Sequence, residues 1–389
     1  MLDTLTRNLS QTTSIEDLET PCLVLNRSKV ERNIARLNGH LWALGVALRP
    51  HLKTCKSIEV ARLAMPGAYG PAAVSTLKEA EQFAAAGVRD ILYAVGIAPQ
   101  KLPRVQALRS AGTDLSIILD SVEQAEAVAA ASAGGDPIPV LIEIDSDGHR
   151  AGIRPEDREM LTAVGRAVHE GGAELRGVLT HAGESYHCKG IAALEAMAEQ
   201  ERAAAVSCAA TLRDAGLPCP VVSVGSTPTA HFARDLTGVT EVRAGVYIFF
   251  DLVMAGIGVC KIEDIALAVL ATVVGRRPDR NLLIIDAGWM ALSRDRGTAG
   301  QEVDQGYGLV CDLDGIPYPD LVVVDTNQEH GVVSLRAGSS ASLPDLPIGA
   351  HILILPNHAC ATASQHDCYH VVDAAGTPVS AICPRFGGW

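Results

Sequence analysis

Between residues 22 and 250 the sequence alternates short, unbroken runs of aliphatic residues with longer amphipathic stretches, and few folds accept that rhythm. The runs at 22–25, 46–48, 72–76, 91–95, 115–120, 140–145, 177–181, 221–224 and 242–250 place apolar residues at successive rather than alternate positions. A strand built this way hides both faces, as strands of a helix-covered parallel sheet do. The intervening stretches 29–44, 77–86, 121–131, 155–170 and 191–215 repeat their apolar residues near the helical period. About eight such units over residues 21–262 predict a (β/α)8 TIM barrel. An open doubly wound sheet is the alternative, but no Gly-rich dinucleotide turn follows the first strand.

From about Asp264 the texture changes. Runs at 266–274, 282–286, 321–324, 331–335 and 351–355 are separated by Gly, Pro and Asp turns, and helical periodicity nearly vanishes. This predicts a C-terminal, mostly antiparallel β domain over residues 263–389. The polar residues 1–20 read as an arm packing on that domain. A net charge of −13 argues against nucleic acid or an anionic membrane as partner. No apolar stretch reaches bilayer length and the N-terminus lacks a signal pattern, which leaves the cytoplasm as default. The ten cysteines are scattered without paired spacing and read as buried hydrophobes rather than a disulfide framework.

Chemistry is expected where strands end. Arg49-Pro50-His51-Leu52-Lys53-Thr54 follows an apolar run, and Pro50 biases Arg49 toward extended backbone. Lys53 is therefore expected at the carboxyl end of a barrel strand, the catalytic face of such a fold. A lysine held from water among cations (Arg49, Lys56) loses its proton readily and can form a Schiff base; a solvated basic loop is the competing reading. Arg150, the pair His181 and His187, the turn Gly225-Ser226-Thr227, and Arg243-Ala244-Gly245-Val246-Tyr247 also follow strands and are expected to face Lys53. The Gly-Ser-Thr turn offers N–H groups and hydroxyls for a phosphate, though such turns more often only cap a helix.

In the β domain, His358 and Cys360 stand two apart after a strand. In extended backbone both would project to one side and could ligate one divalent metal, zinc before manganese or magnesium. A core histidine beside a buried cysteine is the plainer reading. His366, Cys368 and His370 form a rival tract, read more readily as an ordinary strand.

Taken in order, Arg-Pro-His-Leu-Lys-Thr at 49–54, His-Ala-Gly at 181–183, Gly-Ser-Thr at 225–227, Arg-Ala-Gly-Val-Tyr at 243–247, Asp-Ala-Gly at 286–288, Glu-His-Gly at 329–331 and Pro-Asn-His-Ala-Cys at 356–360 span nearly the whole chain. This series resembles the fold-type III pyridoxal-phosphate enzymes of the D-threonine aldolase and eukaryotic-type D-serine dehydratase family, most nearly the branch acting on D-threo-3-hydroxyaspartate. The resemblance implies a barrel of the alanine racemase N-terminal type with pyridoxal 5'-phosphate joined to Lys53. Arg150 would lie by the phenolic oxygen of the cofactor, His181 on its ring and Arg243 near its pyridine nitrogen. Gly225, Ser226, Gly245 and Val246 would hold its phosphate, Thr227 and Tyr247 would also bind the cofactor, and His358 and Cys360 would hold the metal.

The implied activity is a lyase that dehydrates small D-3-hydroxyamino acids, such as D-threo-3-hydroxyaspartate or D-serine, to a 2-oxo acid and ammonia. The alternatives are aldol cleavage to glycine and an aldehyde, a metal-independent racemase, and a non-catalytic cofactor carrier. Aldolases of the family carry His-x-Asp where this chain has His358-Ala359-Cys360, whereas His187 falls where those aldolases place a catalytic histidine. Arg294 and Arg296 could meet a second substrate carboxylate. A homodimer is implied by resemblance alone.

Overall fold

The structure is a computed structural model and describes residues 13–148 and 150–389. The arm expected at 1–20 thus lies outside the described residues up to residue 12. From there Thr13 accepts a hydrogen bond from the amide of Val379. The chain divides into two compact units. Of the described residues, one comprises 35–56 and 61–245 with the last two residues; the other comprises 13–34, 57–60 and 246–387. These units differ from the expected 21–262 and 263–389.

The difference begins at the first strand. Strand β1 (Cys22–Asn26) was counted with the barrel, yet it pairs antiparallel with Leu267–Arg277 and parallel with Cys368–Val372. It is a central strand of the other sheet, so both its faces are buried, and its first four residues are all buried. Continuous burial does not say which sheet does the burying, which is why the run read as a barrel strand.

The eight parallel strands of the barrel unit are β2 (Ala47–Pro50), β3 (Ala72–Val74), β4 (Asp90–Gly96), β5 (Asp114–Leu119), β6 (Pro139–Ile144), β7 (Glu174–Thr180), β8 (Val221–Val224) and β9 (Glu241–Ala244). Their order is β2-β9-β8-β7-β6-β5-β4-β3. The ring closes through a parallel bridge between His51 and Ala73, with the Leu52 amide donating to the Ala73 carbonyl at 2.8 Å. Ala73, Leu92, Ile118, Leu141 and Leu179, one from each of β3 to β7, pack into a single buried cluster. Layers of this kind fill such barrels and leave the ends of the strands to carry function.

The second unit is a nine-stranded sheet. Its further strands are β10 (Leu267–Arg277), β11 (Leu282–Ile285), β12 (Leu309–Cys311), β13 (Pro317–Thr326), β14 (Gly331–Leu335), β15 (His351–Leu355), β16 (Cys368–Val372) and β17 (Val379–Pro384). All pairings are antiparallel except β1 with β16. Strand β10 is long enough to pair with β1 and β15 along its first half and with β11 from Val273 onward, across a register shift between Val273 and Gly275. That double use closes β10 to β15 on themselves and removes their open edges. Among the described residues no helix is long and apolar enough to cross a membrane.

Candidate active site

In the barrel unit the loop after β2 is pinned on both sides. The His51 amide donates to the Ala244 carbonyl at 2.7 Å, and Lys56 closes the turn with its amide on Leu52 and a positive φ of 43°. Lys53 leaves this turn with an exposed side chain. The cations expected to surround it are occupied elsewhere. Arg49 binds Asp90 and Glu241 at 2.7 and 2.8 Å, and Lys56 pairs with Glu79 at 3.1 Å. The positive charges acting on the neighbouring imidazoles, His51 and His181, are instead Lys53, Arg150 and Arg243.

Both imidazoles are held neutral. Burial is the main cause in each, and the cluster of cations adds to it. His181 falls to about 3, despite a hydrogen bond to the Gly225 carbonyl at 3.0 Å that favours its charged form. A carbonyl only accepts, so Nδ1 of His181 carries the hydrogen and Nε2 keeps a lone pair. The unfolded imidazole titrates near 6.5, so between pH 6.5 and about 3 the unfolded chain binds a proton that the folded chain refuses. Stability therefore falls as the pH falls through this window. The loss from this one group at pH 5 is about 2 kcal/mol. His181→Asn should flatten the decline of the urea midpoint between pH 7 and pH 5; an unchanged slope would refute the assignment.

Gly225 is required where it stands. Its φ is +134°, and a Cβ there would lie 2.1 Å from the Arg243 carbonyl oxygen. Its amide donates to Glu201 Oε1 at 3.0 Å, and the same oxygen accepts from the Ala182 amide at 2.9 Å. Glu201 is 2% exposed and was not among the residues singled out from the sequence. The signal was present: in the helix Ile191–Asp214 it sits on the buried stripe with Leu194, Ala198, Ala205 and Leu212. A carboxylate on an apolar stripe has a backbone or charged partner to find. Glu201→Ala would strand two buried N–H groups and cost about 2–4 kcal/mol, whereas Glu201→Gln keeps an acceptor for both. Denaturant midpoints of the two variants check this.

Ser226 is the N-cap of the short helix Thr227–Phe232, its hydroxyl bonded to the Thr229 amide and to Ser185. Ser226 and Thr227 are buried in this cap. Arg243 is buried too, donating to Ser223 Oγ at 2.8 Å and to the Thr180 carbonyl. Burial pulls its pKa below the ordinary value, opposed by Glu241, Glu201 and Glu143. At Gly245 a Cβ would lie 2.9 Å from Thr54 Oγ1, so the backbone stays bare there. Arg150 is exposed in the loop after β6. His187 is set apart: its side chain is 70% exposed and its Nδ1 lies 3.3 Å from Glu184.

These residues fit a phosphate-bearing aldehyde cofactor. They offer an amine, two guanidinium groups, backbone without Cβ at two turns, and the buried Nδ1 of His51, which has no hydrogen-bond partner. Val246 and Tyr247 are both buried at the start of the second unit.

In the second unit His358 and Cys360 do come together, but not through extended backbone. His358 is the extended N-cap of the short helix Ala359–Ala363, and Cys360 lies in its first turn. The Ala-rich stretch favours a helix there. Burial of the His358 ring opposes its charged form, yet hydrogen bonds to Asp295 and Cys360 outweigh this and carry its pKa to about 11. Nδ1 lies 2.6 Å from Asp295 Oδ2.

An imidazole and a thiol side by side, with a carboxylate behind the ring, suit a soft-to-borderline divalent metal. No group of three His, Cys, Asp or Glu residues that could hold a metal occurs among the described residues, so this pair would leave positions for water or substrate. In the rival tract, His366 bonds the Ala291 carbonyl at 3.0 Å and His370 bonds the backbone of Leu23, so each ring is used separately. Arg296 is tied to Asp304 at 2.5 Å and lies over Tyr307, while Arg294 lies 4.3 Å over Trp289.

The alanine racemase N-terminal domain family matches residues 25–253 and the serine dehydratase domain family matches residues 266–372. The chain belongs to the fold-type III family that joins these two domains, a family of lyases acting on D-amino acids. It is 53% identical over 375 residues to D-threo-3-hydroxyaspartate dehydratase of Delftia sp. HT23, covering 96% of this chain and 98% of that one. The solved structure of that enzyme superposes with a TM-score of 0.93 over 97% of this chain and 100% of that chain. A cysteine-to-alanine variant of D-threo-3-hydroxyaspartate dehydratase, solved in a metal-free form, also superposes with a TM-score of 0.93 over 97% of this chain and 100% of that one, at 52% identity. D-serine dehydratase of Dictyostelium discoideum is 31% identical over 95% of this chain and 98% of its own. D-threonine aldolase of Filomicrobium marinum is 27% identical with a TM-score of 0.80, over 96% of this chain and 97% of that one.

Proposed function

We propose that this chain is a pyridoxal-phosphate- and divalent-metal-dependent dehydratase of D-3-hydroxyamino acids, with D-threo-3-hydroxyaspartate or D-serine as substrate. The observation that carries this reading is the convergence of Lys53, Arg150 and Arg243 on the neutral His51 and His181 at the carboxyl ends of barrel strands. The two dehydratase relatives, matched nearly end to end, support it. When bound, the coenzyme supplies an electron sink for breaking the Cα–H bond and the metal a Lewis acid for a leaving hydroxyl.

The chain's residues do the rest. Lys53 would hold the coenzyme through its amine, and the same amine would be the base for the Cα proton. His181, fixed by Gly225, presents a neutral ring face. Arg243 would supply a positive charge near the pyridine nitrogen and Arg150 one near the phenolic oxygen. Gly225, Ser226, Gly245 and Val246 would hold the phosphate, with Thr227 and Tyr247 also at the cofactor. His358 and Cys360 hold the metal, with zinc first and manganese or magnesium as the other candidates. Loss of water leaves an enamine, and its hydrolysis takes that water back, releasing ammonia and a 2-oxo acid. The same reading takes the enzyme as a cytoplasmic homodimer.

The second reading is aldol cleavage, favoured by the aldolase relative and by the position of His187. Incubation with D-threo-3-hydroxyaspartate, D-serine and D-threonine separates the two. A 2-oxo acid with stoichiometric ammonia is expected, and glycine without ammonia would reject the dehydratase. The two arginines flanking Asp295 differ in their ties: among the described residues Arg296 has an acidic partner, Asp304, while Arg294 lies over Trp289. Arg294→Ala is expected to lower the ratio of kcat/KM for hydroxyaspartate over serine by about tenfold, the effect of losing one charged hydrogen bond. Arg296→Ala should leave that ratio unchanged.

A further inference from the structure

Around His358 the backbone and the ring are held by different residues. The Ala359 amide donates to Asp251 Oδ2 at 3.0 Å, and the Leu252 amide donates to the Pro356 carbonyl at 3.0 Å. Asn357 is tied by its side chain to Thr298 Oγ1 at 2.7 Å and to the Gly306 carbonyl at 2.6 Å. These bonds fix the course of 356–360 without Asp295. Asp295 touches the imidazole itself, Oδ2 to Nδ1 at 2.6 Å. An ionised carboxylate only accepts, so Nδ1 keeps its hydrogen, and a metal would ligate at Nε2 by displacing the proton there. The flanking cations are engaged elsewhere, Arg294 over Trp289 and Arg296 with Asp304.

We propose that Asp295 is the positioning residue of the metal centre, setting the tautomer and ring orientation in which His358 ligates a divalent cation. This rests on reading His358 and Cys360 as the metal-holding pair. Carboxylates behind ligating imidazoles raise ligand basicity, and their loss weakens metal affinity about 10- to 100-fold.

The test uses the full-length protein carrying its coenzyme, stripped of metal by a chelator and titrated with zinc against a chromophoric competitor. Cobalt(II) replaces zinc for the visible spectrum. Asp295→Ala should bind zinc about 10- to 100-fold more weakly and alter the cobalt spectrum. Asp295→Asn, which keeps an acceptor but loses the charge, should bind about 3- to 10-fold more weakly. Zinc affinity within about twofold of wild type in Asp295→Ala, or wild-type affinity in Asp295→Asn should the alanine variant not fold, overturns the proposal. His358→Ala, run alongside, should bind no zinc. Wild-type binding there would sink the metal-site reading itself and the role of Asp295 with it.

Discussion

Lys53→Ala is expected to lower turnover by at least about 10³-fold, the upper range for a positioned proton-transfer group. It should also leave no linkage between coenzyme and chain for borohydride to reduce. The informative control is Lys53→Arg. A guanidinium preserves the positive charge that Lys53 adds beside Arg150 and Arg243, but it does not deprotonate and so cannot serve as amine or base. Coenzyme affinity should therefore survive in Lys53→Arg within about tenfold while turnover is lost, because the phosphate contacts assigned to the turns at Gly225 and Gly245 remain and only the amine's chemistry is removed. Single-turnover kinetics and equilibrium dialysis separate the two effects. An arginine variant retaining a tenth of wild-type turnover would show that position 53 contributes charge alone.

The second large effect is on the metal. Chelation, or replacement of His358 by alanine, is expected to slow release of the 2-oxo acid by about 10²-fold or more. A Lewis acid supplies several kcal/mol at a leaving oxygen, and each 1.4 kcal/mol is about a factor of ten. Coenzyme content should stay intact, because the residues assigned to it belong to other elements than Pro356 to Cys360. The two losses thus report independently. Full release of the 2-oxo acid after exhaustive chelation would remove the metal from the reaction, whereas metal-independent exchange of the Cα hydrogen without ammonia would establish the racemase reading.

The barrel was legible because its strands are buried on both faces, and in β5, β6 and β8 every residue but the first of β5 and of β8 is buried. The same condition misled at β1. A run such as Cys22-Leu23-Val24-Leu25 records that it is covered, not by which sheet, and its partners lie 240 to 350 residues away in β10 and β16. At the site, residues standing on strand ends were readable from position, as Lys53, His181 and Arg243 were. Residues working from elsewhere were not. Glu201 acts from the middle of a helix, and Asp295 sits between two arginines that drew the eye to cations.

The convergence of His358 and Cys360 was expected for a reason the structure replaces. Alternation along an extended chain would bring them together, but an N-cap followed by a helical turn does so instead. Both routes bring residues i and i+2 near one another, so the pairing could be read and the backbone could not.

The sequence alone determined the barrel, the turn to β structure near residue 264, and which side chains stand at strand ends, because burial period and chain direction are local properties. Only the tertiary structure decided where β1 belongs, which cations lie near the two neutral histidines, and which carboxylates hold Gly225 and His358. Those depend on groups distant in the chain meeting within hydrogen-bond reach, and no periodicity encodes a meeting of that kind.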